Sequence, residues 1–140
     1  MTVISGYTSA GVRVPVQVTT DGTLVVSGGS GGGGTTPPLA VTALNAVTAV
    51  AAGTIPVGTA KTLILEMYGT ATYSLVNFKA VSESGTALNL MGVRIADLEI
   101  GTSGTRGEIW SFDVTGLVSF IADLVSINGG NLTVKGKLVY

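Results

Sequence analysis

Apolar and polar positions alternate with a period of two along most of the chain. In residues 12–18, four valines alternate with an arginine, a proline and a glutamine, the period of a strand with one buried face. Asp21-Gly22 supplies the positive φ of a tight hairpin turn, and residues 24–26 are apolar again. The pattern predicts a β-hairpin, and because Pro15 has no N–H to donate, its first strand is expected at an edge or to be irregular.

Five further segments alternate in the same way: residues 61–68, 73–81, 108–114, 118–127 and 132–140. Segment 87–95 is apolar on both faces, which is typical of a central strand. In segment 108–114, Trp110 is in phase with Phe112 and Val114, which predicts that its ring is in the core. In segment 118–127, Val118 is placed on the buried face. Residues 128–131, Asn-Gly-Gly-Asn, predict a hairpin turn.

Residues 39–52 are open to two interpretations. Leu44, Val47 and Ala51 would share one face of a helix, whereas the threonines and valines favour a strand; we predict a strand. Short strands at this spacing, joined by Gly-rich turns such as residues 101–107, predict an all-β fold whose body is an antiparallel, jelly-roll-like β-sandwich.

Residues 27–38 separate two parts of the chain. Six of the first eight residues of this segment are glycine and the last two are proline, a composition that forms a flexible and then an extended linker. We therefore predict an N-terminal anchoring arm in residues 1–26, a hinge in residues 27–38 and a β-sandwich body in residues 39–140.

Charged residues are scarce, which bears on partners. They make up 11% of the 140 residues, whereas 46% are hydrophobic; an average soluble protein has about 25% charged residues. A surface this poor in charge indicates an assembly that covers much of it. The net charge of −1 predicts neither nucleic acid nor an anionic membrane as a partner.

No segment has the pattern expected of a membrane helix or a signal peptide. Residues 39–60 are uncharged but contain Asn45 and Pro56, so we predict β-structure there rather than a membrane helix. Residues 1–11 lack the pattern of a signal peptide.

Candidate chemistry is sparse. Without histidine or cysteine, a Ser–His–Asp triad, a thiol nucleophile and metal sites of those residues are excluded. Carboxylates could form a glycosidase pair or, at Asp97 and Glu99, a calcium site. We interpret Asp97, Glu99, Asp113 and Asp123 as solvated charges, and predict no enzyme, cofactor or metal.

Aromatic side chains offer the remaining candidate site. Tyr68 and Tyr73 flank the turn at residues 69–72 and are placed to contact a glycan at a loop tip.

The whole architecture resembles that of tailed-bacteriophage virion proteins, and most of all capsid decoration (cement) proteins and head fibres. The resemblance is carried by residues 1–26, with the stretch VPVQVTTDGTLVV, by residues 110–120, WSFDVTGLVSF, and by the stretch INGGNLTVKG. It implies a non-enzymatic protein on the capsid exterior, whose arm binds the major capsid protein and whose bodies cluster as homo-oligomers, often trimers, over subunit junctions.

Together with the open edges of a hairpin, the resemblance predicts partner-binding residues in the arm. They are the apolar positions of its two strands: Val12, Val14, Val16, Val18, Leu24 and Val26. The alternative is a phage adhesion or carbohydrate-binding module that contacts host glycans through the body.

Overall fold

A computed structural model describes residues 3–7, 13–18, 24–25 and 36–140. The chain divides into two compact units, Met1–Gly34 and Thr35–Tyr140, each of which is described by itself. No helix occurs in the described residues, and neighbouring strands pair antiparallel. The all-β, sandwich-like fold predicted from the alternation is therefore confirmed.

The first unit holds a three-stranded sheet in the order β1-β2-β3. Its strands are β1 (Val3–Tyr7), β2 (Arg13–Val18) and β3 (Leu24–Val25). The β2–β3 pair is the predicted hairpin, but β1 was not predicted. β2 is central, so the expected edge position is wrong. Pro15 lies opposite Ser5 of β1, while β3 pairs only with Gln17 and Val18; the described part of β3 therefore needs no N–H from Pro15.

Most of the predicted hinge lies outside the described residues. Its last three residues, 36–38, are exposed and form no strand. The boundaries of arm, hinge and body remain predictions.

The second unit is a sandwich of two sheets. The large sheet has six strands in the order β10-β9-β12-β6-β14-β4: β10 (Ile100–Gly101), β9 (Gly92–Arg94), β12 (Ile109–Asp113), β6 (Thr62–Gly69), β14 (Leu132–Val139) and β4 (Leu39–Val47). The small sheet has the order β11-β7-β13-β5, with β8 also on β7: β11 (Ser103–Gly104), β7 (Tyr73–Val81), β13 (Ser119–Asn128), β5 (Ala51–Pro56) and β8 (Ala87–Asn89).

Four aromatic rings at the centre join the two sheets. Trp110 and Phe112 come from the large sheet and Phe78 and Phe120 from the small sheet, and each is at most 1% exposed. Phe78 lies 5.1 Å from Trp110 and 4.8 Å from Phe112 between ring centroids, within the range of favourable tilted and edge-on packing. The predicted core position of Trp110 is confirmed.

Two turns cross between the sheets at one end of the sandwich. Residues 69–72 join β6 to β7, and residues 128–131 join β13 to β14. The backbone N–H of Thr70 and that of Ala71 donate to the Asn131 carbonyl, both at 3.0 Å, and that of Thr72 donates to the Asn128 carbonyl at 2.9 Å. Residues 128–131 form a tight turn as predicted, but β13 and β14 lie in different sheets, so the predicted hairpin is wrong.

Segment 87–95 does not form the predicted central strand. It breaks at Leu90 and Met91 into β8, which pairs with the small sheet, and β9, which pairs with the large sheet. Its second apolar face is exposed rather than covered.

Two other segments were predicted with different success. Val118, predicted on the buried face, precedes β13 and is exposed. Residues 39–52 do form strands, β4 and the start of β5.

β4 and β5, the last strands of the two sheets, approach closely on one side of the sandwich. Gly53 of β5 is buried, and a side-chain carbon there would overlap the carbonyl of Ala43 on β4. Only glycine permits this approach of two backbones.

Candidate functional site

The outer face of the large sheet carries a cluster of aliphatic side chains. Cross-strand pairing sets one row across β10, β9, β12 and β6: Ile100, Val93, Ser111 and Ile64. Ile109 lies in the next row, opposite Glu66 of β6, and its carbonyl accepts a hydrogen bond from the N–H of Ile95 at 2.9 Å. We call Ile64, Val93, Ile95, Ile100 and Ile109 the aliphatic patch.

The alternation of the strands explains why these side chains face outward. Trp110 and Phe112 of β12 face the small sheet, so Ile109 faces away from it. Gly92 of β9 packs under the Phe112 ring, which turns Val93 outward. No residue of this patch is among the candidate site residues predicted from the sequence. The apolar character of both faces of segment 87–95 is its signal in the sequence, but that signal predicts burial on both faces.

A groove of about 380 Å³ overlaps the patch, because Ile64 and Ile109 belong to both. Its lining comes from three strands and the residue before β4: Pro38, Ile64, Glu66, Ile109, Lys135, Gly136, Lys137 and Val139. The lysines of β14 stand on either side of Gly136 and are exposed, whereas Ile64 and Val139 are half-buried. The groove therefore has an aliphatic floor, and the charged side chains that line it are two lysines and one carboxylate, Glu66.

A charged cluster closes the edge of the sandwich beside β9 and β10. The Arg94 guanidinium donates to both carboxylate oxygens of Asp97, at 2.9 and 2.6 Å, to Glu99, and to Glu108 at 2.8 Å. The other Glu108 oxygen accepts hydrogen bonds from Trp110 Nε1 and from the N–H of Thr105, both at 2.9 Å. One guanidinium thus faces three carboxylates, so the cluster has a net charge of −2.

The hydrogen bonds of this cluster shift the pKa values of its members. The pKa of Arg94 is raised, chiefly by its bonds to Asp97 and then to Glu108. The pKa of Asp97 falls to about 2, mainly because of the bond from Arg94. For Glu108, partial burial raises the pKa, but the bonds from Thr105, Trp110 and Arg94 outweigh burial, and the pKa is lowered overall. All three groups are therefore charged at neutral pH.

The two candidate tyrosines are exposed but lie on different faces. Tyr68 follows the inward-facing Met67 on the large sheet, and Tyr73 precedes the buried Ser74 on the small sheet. The intervening turn crosses between the sheets, so each side chain stands on the outer face of its own sheet. The structure does not bring them together into a single aromatic platform.

The remaining candidate carboxylates also have local partners. Asp123 forms an ion pair with Lys79 at 2.6 Å. Asp113 accepts a hydrogen bond from the N–H of Thr115 at 3.0 Å, and that bond lowers its pKa. Asp97 and Glu99 share Arg94 and do not face each other across an open cleft. No group of three or more acidic, histidine or cysteine side chains suited to a metal ion occurs in the described part of the chain.

The arm candidates stay predictions. Val12 and Val26 lie outside the described residues; Val14, Val16 and Val18 lie in β2 and Leu24 in β3. Within the described residues, no helix has the length and apolar character needed to cross a membrane.

Comparison with known proteins places this sandwich among proteins of phage elements. Residues 38–138 match the XepA family. The phage-like element PBSX protein XepA of Bacillus subtilis (strain 168) is 40% identical over 96 residues, which cover 68% of this chain and 34% of XepA. The SPbeta prophage-derived protein YomS of the same organism is 34% identical over 84 residues, covering 59% of this chain and 70% of YomS.

Solved structures agree with these sequence matches. The crystal structure of YomS superposes with a TM-score of 0.71 at 31% identity, covering 74% of this chain and 94% of YomS. That of the PBSX exported protein XepA gives a TM-score of 0.73 at 34% identity, covering 74% of this chain and 38% of XepA. The class is thus a β-sandwich protein of phage elements. The chain belongs to the XepA family, and it spans about a third of the length of XepA.

Proposed function

We propose that the protein is a non-enzymatic structural component of a phage particle that decorates the capsid exterior. Its arm docks on subunits of the major capsid protein, and its bodies cluster over the junctions between those subunits. Two facts support a role of this kind: XepA and YomS come from a phage-like element and a prophage, and neither name is that of an enzyme.

The observation that carries the proposal is a separate N-terminal sheet joined to a family body. The family match begins at residue 38, whereas the three-stranded sheet belongs to the first compact unit, Met1–Gly34. In the described residues, nothing pairs with the outer edges of β1 and β3. An open edge can accept a strand from another protein through main-chain hydrogen bonds.

The three-stranded sheet, in place of the predicted two-stranded hairpin, changes which strands have an open edge for docking. β2 already pairs with β1 from Arg13 to Gln17 and with β3 at Gln17 and Val18. Strand addition therefore uses β1 or β3, while the alternating valines of β2 contribute through their side chains. Several tethered arms in one cluster would raise the overall affinity without new contacts.

Clustering of the bodies is supported by their surface. Only 11% of all residues are charged, and four of the five residues of the aliphatic patch, all except Ile64, are exposed. A second copy can cover such a surface. The trimer is the copy number that the resemblance to decoration proteins implies.

Deletion of residues 1–26 tests the proposal. The remaining chain is expected to keep a β-type circular dichroism spectrum and a cooperative thermal transition, since the family body is a separate unit, but to lose binding to purified phage particles of the genome that encodes it. Val16→Asp is the milder variant, because it places a charge on the face predicted to be buried. Wild-type occupancy by both variants, or absence of the natural protein from purified particles, would refute attachment by the arm.

Adhesion to a host glycan is the second candidate, and the description of XepA as an exported protein favours it. An exported adhesin would be found in the medium or on cells rather than in particles. Tyr73→Ala and Tyr68→Ala separate the candidates: either substitution is expected to weaken binding to host cell-wall polysaccharide in an adhesin, and to leave particle binding unchanged in a decoration protein.

A further inference from the structure

We propose that Asn128 is a site of self-modification, at which the backbone nitrogen of Gly129 attacks the Asn128 side-chain amide and the residue becomes isoaspartate. The reaction consumes water and needs no other reactant. The proposal goes beyond the proposed function and does not depend on it. The observation that points to it is a pair of hydrogen bonds from Thr72 to the Asn128 carbonyl.

The two reacting groups are accessible. Asn128 and Gly129 are both exposed at the turn that joins β13 to β14. Of the asparagines in the chain, only Asn128 precedes a glycine, and glycine has no side chain to hinder attack by its own nitrogen. Among the described residues, the Gly129 N–H has no hydrogen-bond partner. This nitrogen is therefore free to lose its proton to hydroxide.

Thr72 makes the peptide group between Asn128 and Gly129 reactive. The Thr72 N–H donates to the Asn128 carbonyl at 2.9 Å, and the Thr72 hydroxyl donates to it at 3.0 Å. Loss of the Gly129 proton places negative charge on that same oxygen, because the nitrogen and the carbonyl share one conjugated peptide group. Two donors directed at a developing oxyanion stabilise it, as in the oxyanion hole of an acyl-transfer enzyme. The fold thus favours formation of the nucleophile.

The first step closes a ring and releases ammonia. The ionised Gly129 nitrogen forms a bond to Cγ of Asn128. The bond from Cγ to the amide nitrogen then breaks, and that nitrogen leaves as ammonia with a proton taken from water, which returns the hydroxide. The product is a cyclic imide, in which the Gly129 nitrogen is bonded both to Cγ and to the main-chain carbonyl carbon of residue 128.

The second step opens the imide with water. Because Thr72 donates to the main-chain carbonyl, that carbon is the more electrophilic of the two; water adds to it, and its bond to the Gly129 nitrogen breaks. The main chain then runs through Cγ, which defines isoaspartate, and the former carbonyl becomes a carboxylate. Hydrogen bonds from Thr72 to this charged acceptor are stronger than those to a neutral carbonyl. Thr72 therefore favours isoaspartate over aspartate.

Asn131 lies in the same turn but lacks this arrangement. Its side-chain Oδ1 accepts a hydrogen bond from the Thr70 N–H at 3.3 Å. The residue after it, Leu132, is completely buried at the start of β14. The Asn131 amide is thus held in place and is followed by a bulky, packed residue, so it provides a control within the same molecule.

Incubation of the full wild-type chain in mildly alkaline buffer tests the proposal. Peptide mapping by mass spectrometry follows the replacement of the amide by a carboxyl group, and labelling with an isoaspartyl methyltransferase distinguishes isoaspartate from aspartate. We expect modification at Asn128, mostly as isoaspartate, and none at Asn131 in the same samples. The isoaspartate share should be higher in the folded chain than in the same chain in urea, where Thr72 no longer lies beside Asn128.

Substitutions of Thr72 test its role directly. Thr72→Val removes the hydroxyl donor and should slow the modification of the folded chain about two- to tenfold, the rate equivalent of one hydrogen bond. A turn that was only loosened would react faster, so the direction of the change separates the two effects. Thr72→Ser keeps the hydroxyl and should react like the wild type. Thr115→Val is the matched control, since Thr115 is also exposed and its hydroxyl donates to the Lys61 carbonyl at 3.4 Å.

Four outcomes would overturn the proposal. In the folded chain, Thr72→Val could react as fast as the wild type or faster, or Thr115→Val could slow the reaction as much as Thr72→Val does. Asn128 of the folded wild type could stay unmodified while the chain in urea reacts, or the isoaspartate share could be no higher in the folded chain than in urea. The last comparison uses the wild type alone, so it decides the question even if Thr72→Val does not fold.

Discussion

The two faces of the large sheet differ although they share the same strands. The inner face presents Trp110 and Phe112 to the small sheet, and both side chains are almost completely buried. The outer face presents Ile109 and Val93, which no second layer in the described residues covers. Burial inside the sandwich stabilises the fold, whereas an equally apolar surface outside it contributes to binding once a partner covers it.

The outer face of the small sheet is mixed in character. An ion pair between Lys79 and Asp123 crosses β7 and β13 on that face, where Ile121 lies between Lys79 and Thr54 of β5, and Val125 of β13 is exposed. What distinguishes the large sheet is that its exposed aliphatic side chains adjoin one another. This contrast predicts that substitutions on the inner face of β12 change the stability of the fold, whereas substitutions on its outer face change association.

Trp110→Ala is expected to have the largest effect on stability. The substitution removes a buried ring that contacts Phe78 and donates to Glu108, and truncation of a core aromatic costs about 3–5 kcal/mol. Urea unfolding followed by circular dichroism measures the change.

Ile109→Ala is the matched control for Trp110→Ala, because Ile109 is the preceding residue of the same strand on the opposite face. We expect a change of about 0.5 kcal/mol or less in stability together with weaker self-association. Equal losses of stability from the two substitutions would show that the two faces are not energetically distinct.

Gly53→Ala tests how closely the edges of the two sheets must approach. The new methyl group would overlap the Ala43 carbonyl, so β4 and β5 must move apart at a cost of about 1–3 kcal/mol. Thr54→Ala, at the next, exposed position of β5, should be nearly neutral in the same thermal unfolding measurement. A Gly53→Ala protein as stable as the wild type would mean that this side of the sandwich opens freely.

Glu108→Gln tests the edge where the two faces meet. The pKa of Glu108 is lowered in the fold, so the unfolded chain binds its proton more readily than the folded chain. Its contribution is therefore complete above the unfolded pKa of about 4.3 and is lost as the pH falls through the lower folded pKa. We expect Glu108→Gln to lose about 1 kcal/mol at neutral pH, because a charged acceptor of hydrogen bonds is replaced by a neutral one.

The pH dependence of that loss identifies its cause. The difference between wild type and Glu108→Gln should shrink as the pH falls below about 4, as measured by urea unfolding at several pH values. Glu83→Gln, on the exposed connection between β7 and β8, is the control and should show no such convergence. A constant difference across the pH range would assign the loss to packing rather than to charge.

Alternation alone was enough to predict the strands whose two faces differ. β6, β7, β12 and β14 each place one set of apolar side chains in the core. The alternation of apolar and polar residues therefore predicts these strands directly. Sheet membership could not be predicted in the same way. Residues 128–131 have the composition of a hairpin turn, but the partners of β13 and β14 are distant in sequence, and a local signal does not identify them.

The candidate site was predicted less well than the fold, for a related reason. An exposed aliphatic side chain and a buried one are alike in a sequence, so the apolar residues of segment 87–95 predict a central strand although most of them are exposed in the fold. Arg94, Asp97, Glu99 and Glu108 meet only because β9, β10 and β12 adjoin at one edge. The spacing of Glu108 and Trp110, two residues apart and so on one side of a strand, was the only local hint of their hydrogen bond.

Self-association of the full chain tests the central claim about the two faces most directly. Ile109→Asp puts a charge into the aliphatic patch on the outer face of the large sheet, and sedimentation velocity is expected to show loss of the oligomer that the wild type forms. Thr54→Asp, at an exposed position of β5, is the matched control and should assemble like the wild type. An Ile109→Asp chain that assembles as well as the wild type would contradict the account.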